Sequence, residues 1–186
     1  MKRFLGIFLI LILMFSVSFA TVIDNSADVL VKMGLLNGYP DGTLKLENNI
    51  TRAEFCSLIV RMLGKNQAPL TNKFSDIKEN HWAYGVINRA AELGYLSGYE
   101  DGTFRPSNNI TYAESCAILV NMLGYKDELT GSWPTNVISK AEELKLNVNL
   151  GGLDASHTMT RGEVSVMLVN SMNVRFKGDV NAQNGV

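Results

Sequence analysis

Apolar residues recur every three or four positions in several short segments of the chain, which is the spacing of one face of an α-helix. Polar loops rich in glycine and asparagine separate these segments. The segments form two matching pairs: Cys56, Ile59, Val60, Leu63 with Cys116, Leu119, Val120, Leu123, and Val86, Ile87, Ala90, Leu93 with Val137, Ile138, Ala141, Leu144. The pattern predicts a mainly α-helical chain built from repeated helix–loop–helix units.

The repeat is visible in the residues themselves. Residues 31–64 align with residues 91–124 without a gap, and both contain Gly-Tyr, Asp-Gly-Thr and Asn-Asn-Ile-Thr. A third copy is looser and lacks the Asp-Gly-Thr segment. Self-similarity of this kind is typical of small units that stack and share one core. We expect three such units and a flexible tail, at residues 21–64, 74–125, 132–172 and 173–186.

The loops carry strong turn signals. Gly34 and Gly94 fall near the ends of their helices, where a residue without a Cβ can adopt the left-handed conformation that stops a helix. The Asp-Gly-Thr segments favour tight turns. We expect the apolar residue that follows each turn, Leu44 or Phe104, to fasten the loop onto the core.

A Thr-x-x-Glu sequence precedes each of three apolar helical stripes, which is the pattern of a capping box. The threonine hydroxyl accepts a hydrogen bond from the glutamate N–H, and the glutamate carboxylate accepts one from the threonine N–H. The three pairs are Thr51 and Glu54, Thr111 and Glu114, and Thr160 and Glu163.

The residue after the capping threonine differs between copies. It is Arg52 in the first and Arg161 in the third, but Tyr112 in the second. We expect this position to project outward beside unpaired backbone N–H groups and the positive end of the helix dipole. An arginine there favours an anion site, and a solvated surface arginine is the alternative.

The first twenty residues predict a signal peptide. Lys2 and Arg3 precede the apolar residues 4–17, and Ser18-Phe19-Ala20 resembles a cleavage site. An uncleaved N-terminal anchor is the alternative. Removing those two cations from the 17 basic residues leaves 15 against 18 acidic ones, a net charge of about −3. We therefore expect an exported protein that does not bind nucleic acid and, once cleaved, does not sit in a membrane.

The chain lacks the sequence motif of an enzyme, a metal site or a cofactor site. Cys56 and Cys116 lie on apolar stripes without a second ligand nearby in sequence, so we expect small buried residues, with a disulfide as the alternative. His81 and His157 belong to no metal motif. The glutamates of the three copies already have a capping role, which argues against catalysis by these carboxylates.

Residues 74–114 resemble the S-layer homology family. They contain Phe-x-Asp, then Trp-Ala, a helix, Gly-Tyr-x-Asp-Gly-Thr-Phe-x-Pro and finally Thr-x-Ala-Glu. The first copy has the later motifs but lacks Phe-x-Asp and tryptophan, and the third has Trp133 and Thr-Arg-Gly-Glu. The resemblance covers nearly all of residues 22–172.

The resemblance implies a three-pronged, pseudo-threefold body with helices at its centre. It also implies that grooves between the units bind secondary cell-wall polysaccharide, often through a pyruvate ketal on an amino sugar. Arg52 and Arg161 match the arginine that contacts this acid in the family, and Tyr112 departs from it, either stacking on a sugar ring or filling the groove. Other family positions at the groove correspond to Asp76, Trp82, Trp133, Gly34 and Gly94.

Together these observations predict a non-catalytic protein of the cell wall or cell surface whose partners are wall polysaccharide and other surface proteins. An exported scaffold for protein interactions, with the same fold and no glycan binding, is the alternative. The tyrosine at position 112 and the missing third Asp-Gly-Thr segment favour that alternative.

Overall fold

The computed structural model describes residues 19–64 and 71–177, and this part of the chain is mainly α-helical. The described helices are α1 over residues 19–32, α2 Arg52–Met62, α3 Tyr84–Glu92, α4 Tyr112–Met122, α5 Thr135–Glu143 and α6 Arg161–Ser171, with a 3₁₀ helix at Lys126–Glu128. The predicted fold class is confirmed. The predicted signal peptide lies almost wholly outside the described residues, and no helix in the described ranges is long and apolar enough to cross a membrane.

Capping boxes begin α2, α4 and α6, as the sequence predicts. At α2 the Thr51 hydroxyl accepts from the Glu54 N–H at 3.2 Å, and Glu54 Oε2 accepts from the Thr51 N–H at 2.8 Å. The same reciprocal pairs begin α4 and α6. Each cap stabilises its helix by about 1 kcal/mol, so the threonine and glutamate of all three copies have a structural role.

The three extended segments before these helices meet in a closed ring of backbone hydrogen bonds. The N–H of Ile50 donates to the carbonyl of Met159, that of Met159 donates to Ile110, and that of Ile110 donates to Ile50. The donor–acceptor distances are 2.9–3.0 Å. Because each segment gives one bond and receives one, the units are related by a pseudo-threefold axis through this point.

The helices divide into a central and a peripheral set. Most side chains of α2, α4 and α6 are buried, whereas α3 and α5 bury only one face. The central helix of one unit packs against the first helix of the next, since α2 contacts α3 and α4 contacts α5. The apolar residues of all the described helices therefore form one shared core.

Gly162 shows how closely the third unit packs against the first. It stands where the other copies have alanine, and a Cβ added there would lie 2.6 Å from Ile23 Cγ2 and 3.1 Å from the carbonyl oxygen of Leu46. The third copy therefore reads Thr-Arg-Gly-Glu because α1 and the first loop leave no room for a methyl group at this place.

The predicted turns form as expected. Gly94 has a φ of +75° just after α3, and the following N–H of Tyr95 donates back to the carbonyl of Ala90. Asp101 accepts from both the N–H and the hydroxyl of Thr103, which closes the Asp-Gly-Thr turn. Phe104 is fully buried and Leu44 is partly buried, so both fasten their loops to the core.

The first residues of the predicted tail contact the second unit. The hydroxyl of Tyr125 donates to the carbonyl of Arg175, and the N–H of Lys177 donates to the carbonyl of Leu123. Phe176 packs against the core. These contacts hold residues 173–177 against the second unit, and a flexible tail at residues 173–186 stays a prediction.

The two cysteines are free thiols inside the core, as their position on apolar stripes predicts. Burial raises the pKa of Cys56 to about 12, and burial also raises the pKa of Cys116 to about 12. Neither thiol is ionised near neutral pH, which makes both of them unreactive packing residues.

Candidate functional site

Two equivalent grooves lie where the units meet. Each takes a loop and a central helix from one unit, a tryptophan from the next unit and an arginine from the preceding one. Groove A has a volume of about 240 Å³, and its defining residues are Tyr39, Glu54, Arg61, Trp82 and Arg161. Groove B has a volume of about 1120 Å³, and its defining residues are Tyr99, Glu114, Asn121, Trp133 and Arg52.

The two tryptophans form the exposed rims of these grooves. Trp82 is 65% exposed just before α3, and Trp133 is 57% exposed just before α5. The imidazole of His81 stacks on Trp82 with the ring centroids 5.8 Å apart. Large exposed rings of this kind offer a flat apolar surface beside a polar groove.

Arg52 lies on the floor of groove B and is only 4% exposed. Its Nε donates to the carbonyl of Phe104 at 2.9 Å, and its Nη1 lies 2.8 Å from Glu114 Oε1. The hydroxyl of Tyr99 donates to the same carboxylate oxygen at 2.6 Å. The second unit therefore fixes this guanidinium of the first unit in place, and a carboxylate matches its charge.

These contacts alter the pKa values of the groove B side chains. Burial acts to raise the pKa of Glu114, but hydrogen bonds from Tyr99 and Thr111 and the charge of Arg52 outweigh it and lower the pKa below the ordinary value. Burial, together with the bond to Glu114, raises the pKa of the Tyr99 hydroxyl. At neutral pH the floor of groove B is thus an ionised carboxylate held between a neutral phenol and a guanidinium.

Arg161 lies in the equivalent place in groove A and is 7% exposed. Its Nε donates to the carbonyl of Leu44 at 2.9 Å and its Nη2 donates to that of Asn37 at 3.1 Å. The distance from its Nη1 to Glu54 Oε1 is 3.9 Å, which is too long for a hydrogen bond. Backbone carbonyls therefore fix the position of the Arg161 guanidinium, and the carboxylate of Glu54 neutralises its charge only from a distance.

The beginnings of the central helices differ from the sequence prediction. The N–H groups of Arg52 and Ala53 donate to the carbonyls of Asn108 and Pro106, and equivalent bonds occupy the first two N–H groups of α4 and α6. The expectation of an outward arginine beside unpaired N–H groups is wrong, because the loop of the neighbouring unit covers each helix start. The first N–H groups of α2, α4 and α6 are therefore already bonded and are not available to an anion.

Tyr112 fills the junction between the second and third units. Its side chain is 2% exposed, and burial, followed by interactions with Cys116, raises its pKa although a hydrogen bond with Asn147 acts in the opposite direction. Of the two roles that the sequence left open, packing in the junction fits this position. A buried ring has no face available for stacking on a sugar.

A histidine takes the place of the missing arginine at this junction. By the equivalence of the units, Tyr112 stands where an arginine would face Glu163. Instead, His157 Nε2 lies 3.0 Å from both carboxylate oxygens of Glu163. We call this set of residues, Tyr112, Asn147, His157 and Glu163, the Tyr112 junction. At this junction a histidine, rather than an arginine, therefore faces the glutamate.

Three further residues that the family resemblance assigns to the groove have structural roles. Asp76 accepts from the N–H groups of Phe104 and Arg105 at 2.8 and 2.7 Å, which fixes the turn below Tyr99. Gly34 and Gly94 have φ values of +70° and +75° at helix ends. Among the described residues, none of the three is part of the lining of groove A or groove B. Ligand contacts by them stay predictions.

Two features of the grooves carry no separate signal in the sequence. Glu54 and Glu114 face an arginine of a neighbouring unit besides capping their own helices. The capping box alone explains their presence in each copy, so the sequence holds no separate signal for the second role. The second feature is the residue in the last turn of the central helix, which is Arg61 in groove A and Asn121 in groove B. The sequence does not show that this turn lies beside a loop of the groove.

Comparison with known proteins agrees with this architecture. The family model for the S-layer homology domain matches residues 26–56 and 73–114, which fall in the first and second units. The chain is 37% identical over 155 residues to a middle cell wall protein of Brevibacillus brevis and 34% identical over 157 residues to a surface layer protein of Brevibacillus choshinensis. These alignments cover 81% and 82% of the chain but only 14% of each relative.

A third relative is a cellulosome-anchoring protein of Acetivibrio thermocellus, which is 41% identical over 92 residues, covering 47% of the chain and 21% of that protein. The chain thus spans a small part of the length of each of these relatives. The matched segments contain the capping boxes of the first two units, both Asp-Gly-Thr turns and Trp82. On this evidence the chain belongs to the S-layer homology family.

Proposed function

We propose that the chain attaches to secondary cell-wall polysaccharide through grooves A and B, that the polymer carries an acidic group such as a pyruvate ketal, and that the protein resides at the cell wall or cell surface. The observation that carries this proposal is the pair of equivalent grooves, each with an exposed tryptophan at its rim and an arginine on its floor. The names of the relatives, a wall protein, a surface layer protein and an anchoring protein, support it.

The grooves suit a sugar polymer. Sugar rings present apolar faces that stack on indole rings and hydroxyl groups that hydrogen-bond to polar side chains. A single charge-assisted hydrogen bond of about 1.5–3 kcal/mol corresponds to millimolar binding at best. Two grooves on one molecule that engage one polymer raise the apparent affinity through effective concentration, by about 100-fold or more.

A non-catalytic role fits the described carboxylates. Glu54, Glu114 and Glu163 each accept the hydrogen bonds of a capping box, and each faces a cationic or titratable side chain besides. Side chains committed to the fold in this way are poorly placed to transfer protons to a substrate. We therefore propose attachment without turnover, with other surface proteins as further partners.

Binding to purified wall material, with and without its acidic polysaccharide, tests the proposal. Trp82→Ala and Trp133→Ala are better test variants than arginine substitutions, because both tryptophans are exposed, whereas Arg52 and Arg161 are buried and bonded to a neighbouring unit. Met33→Ala is the matched control, since Met33 is 54% exposed and part of neither groove. We expect each tryptophan variant to lose at least tenfold in apparent affinity and the control to bind normally. Equal binding by the double tryptophan variant would reject the grooves as the attachment sites.

A further inference from the structure

The two grooves differ in charge although their architecture is equivalent. Groove A is lined by two cations, Arg61 and Arg161, and one carboxylate, Glu54. Groove B is lined by three charged residues of each sign, namely Arg52, Arg105, Lys126, Glu100, Asp101 and Glu114. The lining of groove A therefore has a net charge of +1, and that of groove B has none.

The pairing of the floor arginines increases this difference. In groove B an incoming anion competes with Glu114, which already holds Arg52 at 2.8 Å and accepts from Tyr99. In groove A the distance between Arg161 and Glu54 is 3.9 Å, so the guanidinium is less completely neutralised. Placing a second carboxylate beside a tightly paired one is unfavourable because like charges repel at short range.

Arg61 supplies the second cation of groove A. It is exposed in the last turn of α2, and its Nη1 donates to the carbonyl of Leu35 at 3.3 Å, which directs the guanidinium along the loop that borders the groove. No carboxylate of the described residues forms an ion pair with it. At the equivalent place in groove B, Asn121 donates to the carbonyl of Tyr95 and carries no charge.

We infer that groove A is the site of the acidic sugar, with Arg61 as a specificity-determining residue, and that groove B takes a neutral sugar of the same polymer. This inference rests on the proposed attachment to an acidic wall polysaccharide. Asn121 supports the second half, because it places a neutral amide where groove A has a guanidinium. An amide hydrogen-bonds to sugar hydroxyl groups without the charge that favours an acid.

Each groove contains one of the two tryptophans of the chain, so the indole N–H resonances of ¹⁵N-labelled protein report on the grooves separately. The probes are the methyl glycoside of an N-acetylhexosamine that bears a 4,6-pyruvate ketal and the same glycoside without the ketal. Trp82→Phe assigns the two resonances. We expect the acidic glycoside to shift the Trp82 resonance at concentrations about five- to tenfold lower than the Trp133 resonance. The neutral glycoside should show no such preference.

Two exchanged variants complete the test. Arg61→Asn gives groove A the residue of groove B, and we expect it to abolish the preference of the acidic glycoside for the Trp82 groove while the thermal midpoint stays unchanged. Asn121→Arg gives groove B the missing cation and should lower the concentration at which the acidic glycoside shifts Trp133.

The outcomes separate this inference from the proposed function. Equal titration of both resonances by the acidic glycoside, or earlier movement of Trp133, overturns the inference and leaves the attachment proposal standing. A chain that binds wall polymer with an unchanged preference in Arg61→Asn also overturns it. If neither glycoside nor the wall polymer moves either resonance, both the inference and the proposed function fail.

Discussion

At groove B the guanidinium of Arg52 lies 2.8 Å from a carboxylate, whereas at groove A the equivalent guanidinium of Arg161 lies 3.9 Å from one. The two arginines come from the same position of the repeat and face the same residue type. The difference arises from the surroundings. Tyr99 donates to Glu114 and holds it beside Arg52, while the hydroxyl of Thr51 donates to Glu54 on the oxygen that faces its own cap. Identical motifs thus produce one neutral groove and one cationic groove.

The Tyr112 junction extends this comparison. Grooves A and B each keep an arginine facing a glutamate, but the third junction replaces that pair with a buried tyrosine and a histidine. The backbone ring is the same at all three junctions, since equivalent hydrogen bonds cover each helix start. The ring therefore maintains the fold, and the side chains at each junction are free to differ.

The largest effect is expected from removal of Arg52. Arg52→Ala leaves the largely covered carboxylate of Glu114 without its cation and the carbonyl of Phe104 without a donor, so we expect a loss of about 3–5 kcal/mol in the free energy of unfolding. Arg161→Ala leaves backbone carbonyls unsatisfied but no closely paired carboxylate, and we expect a loss of about 2 kcal/mol. Urea denaturation of both variants measures the difference.

A double-mutant cycle sharpens that comparison. Coupling between Arg52→Ala and Glu114→Gln should be about 1.5–3 kcal/mol, and coupling between Arg161→Ala and Glu54→Gln below about 0.5 kcal/mol. Equal coupling at the two grooves would contradict the different electrostatics that we assign to them.

The next largest loss of stability is expected when an arginine replaces Tyr112 at the Tyr112 junction. Tyr112→Arg places a guanidinium in a buried site where His157 already occupies Glu163, so we expect a loss of about 2–4 kcal/mol. The double variant Tyr112→Arg with His157→Asn frees the carboxylate and restores the residue types of the other copies. It should be more stable than the single variant, as thermal unfolding will show. A double variant no better than Tyr112→Arg would mean that the two departures are independent.

Gly162 allows a test, with a smaller expected effect, of how a residue of one unit is fitted to its neighbour in another unit. Gly162→Ala gains up to about 1 kcal/mol of helix propensity, but the new methyl group meets Ile23 Cγ2 and the carbonyl of Leu46. We expect a net loss of about 1–2 kcal/mol, measured by urea denaturation. Adding Ile23→Ala makes room for the methyl group, so the double variant should lose less than the sum of the two single losses. Strict additivity would show that the contact with Ile23 is not the cause.

Much of this fold follows from the sequence by short-range physics. Capping boxes, the glycines at helix ends and the Asp-Gly-Thr turns involve residues within a few positions of each other, and each is confirmed. The position of Arg52 was not predictable in this way. Its burial depends on Phe104 and Glu114, which belong to a different unit, and the helix starts are covered by loops of a neighbouring unit. Within one repeat an arginine after the cap looks exposed, and only the closure of the ring buries it.

The smallest expected effect concerns pH and groove B. The pKa of Glu114 is lowered in the folded protein, so its contribution to stability is present above the unfolded pKa and is lost as the pH falls through the folded pKa. The loss begins near the ordinary glutamate value of 4.5 and continues below it.

Tyr99→Phe removes one of the bonds that lower the pKa of Glu114. It should therefore move the onset of acid unfolding to higher pH, and it should reduce the free energy of unfolding at pH 7 by less than about 1 kcal/mol. Urea midpoints between pH 7 and pH 3 measure this, with Tyr39→Phe, the equivalent substitution in groove A, as the matched control. Identical acid profiles for the wild type and Tyr99→Phe would mean that Tyr99 does not hold Glu114 against Arg52, and the tight pairing that distinguishes groove B would lose its cause.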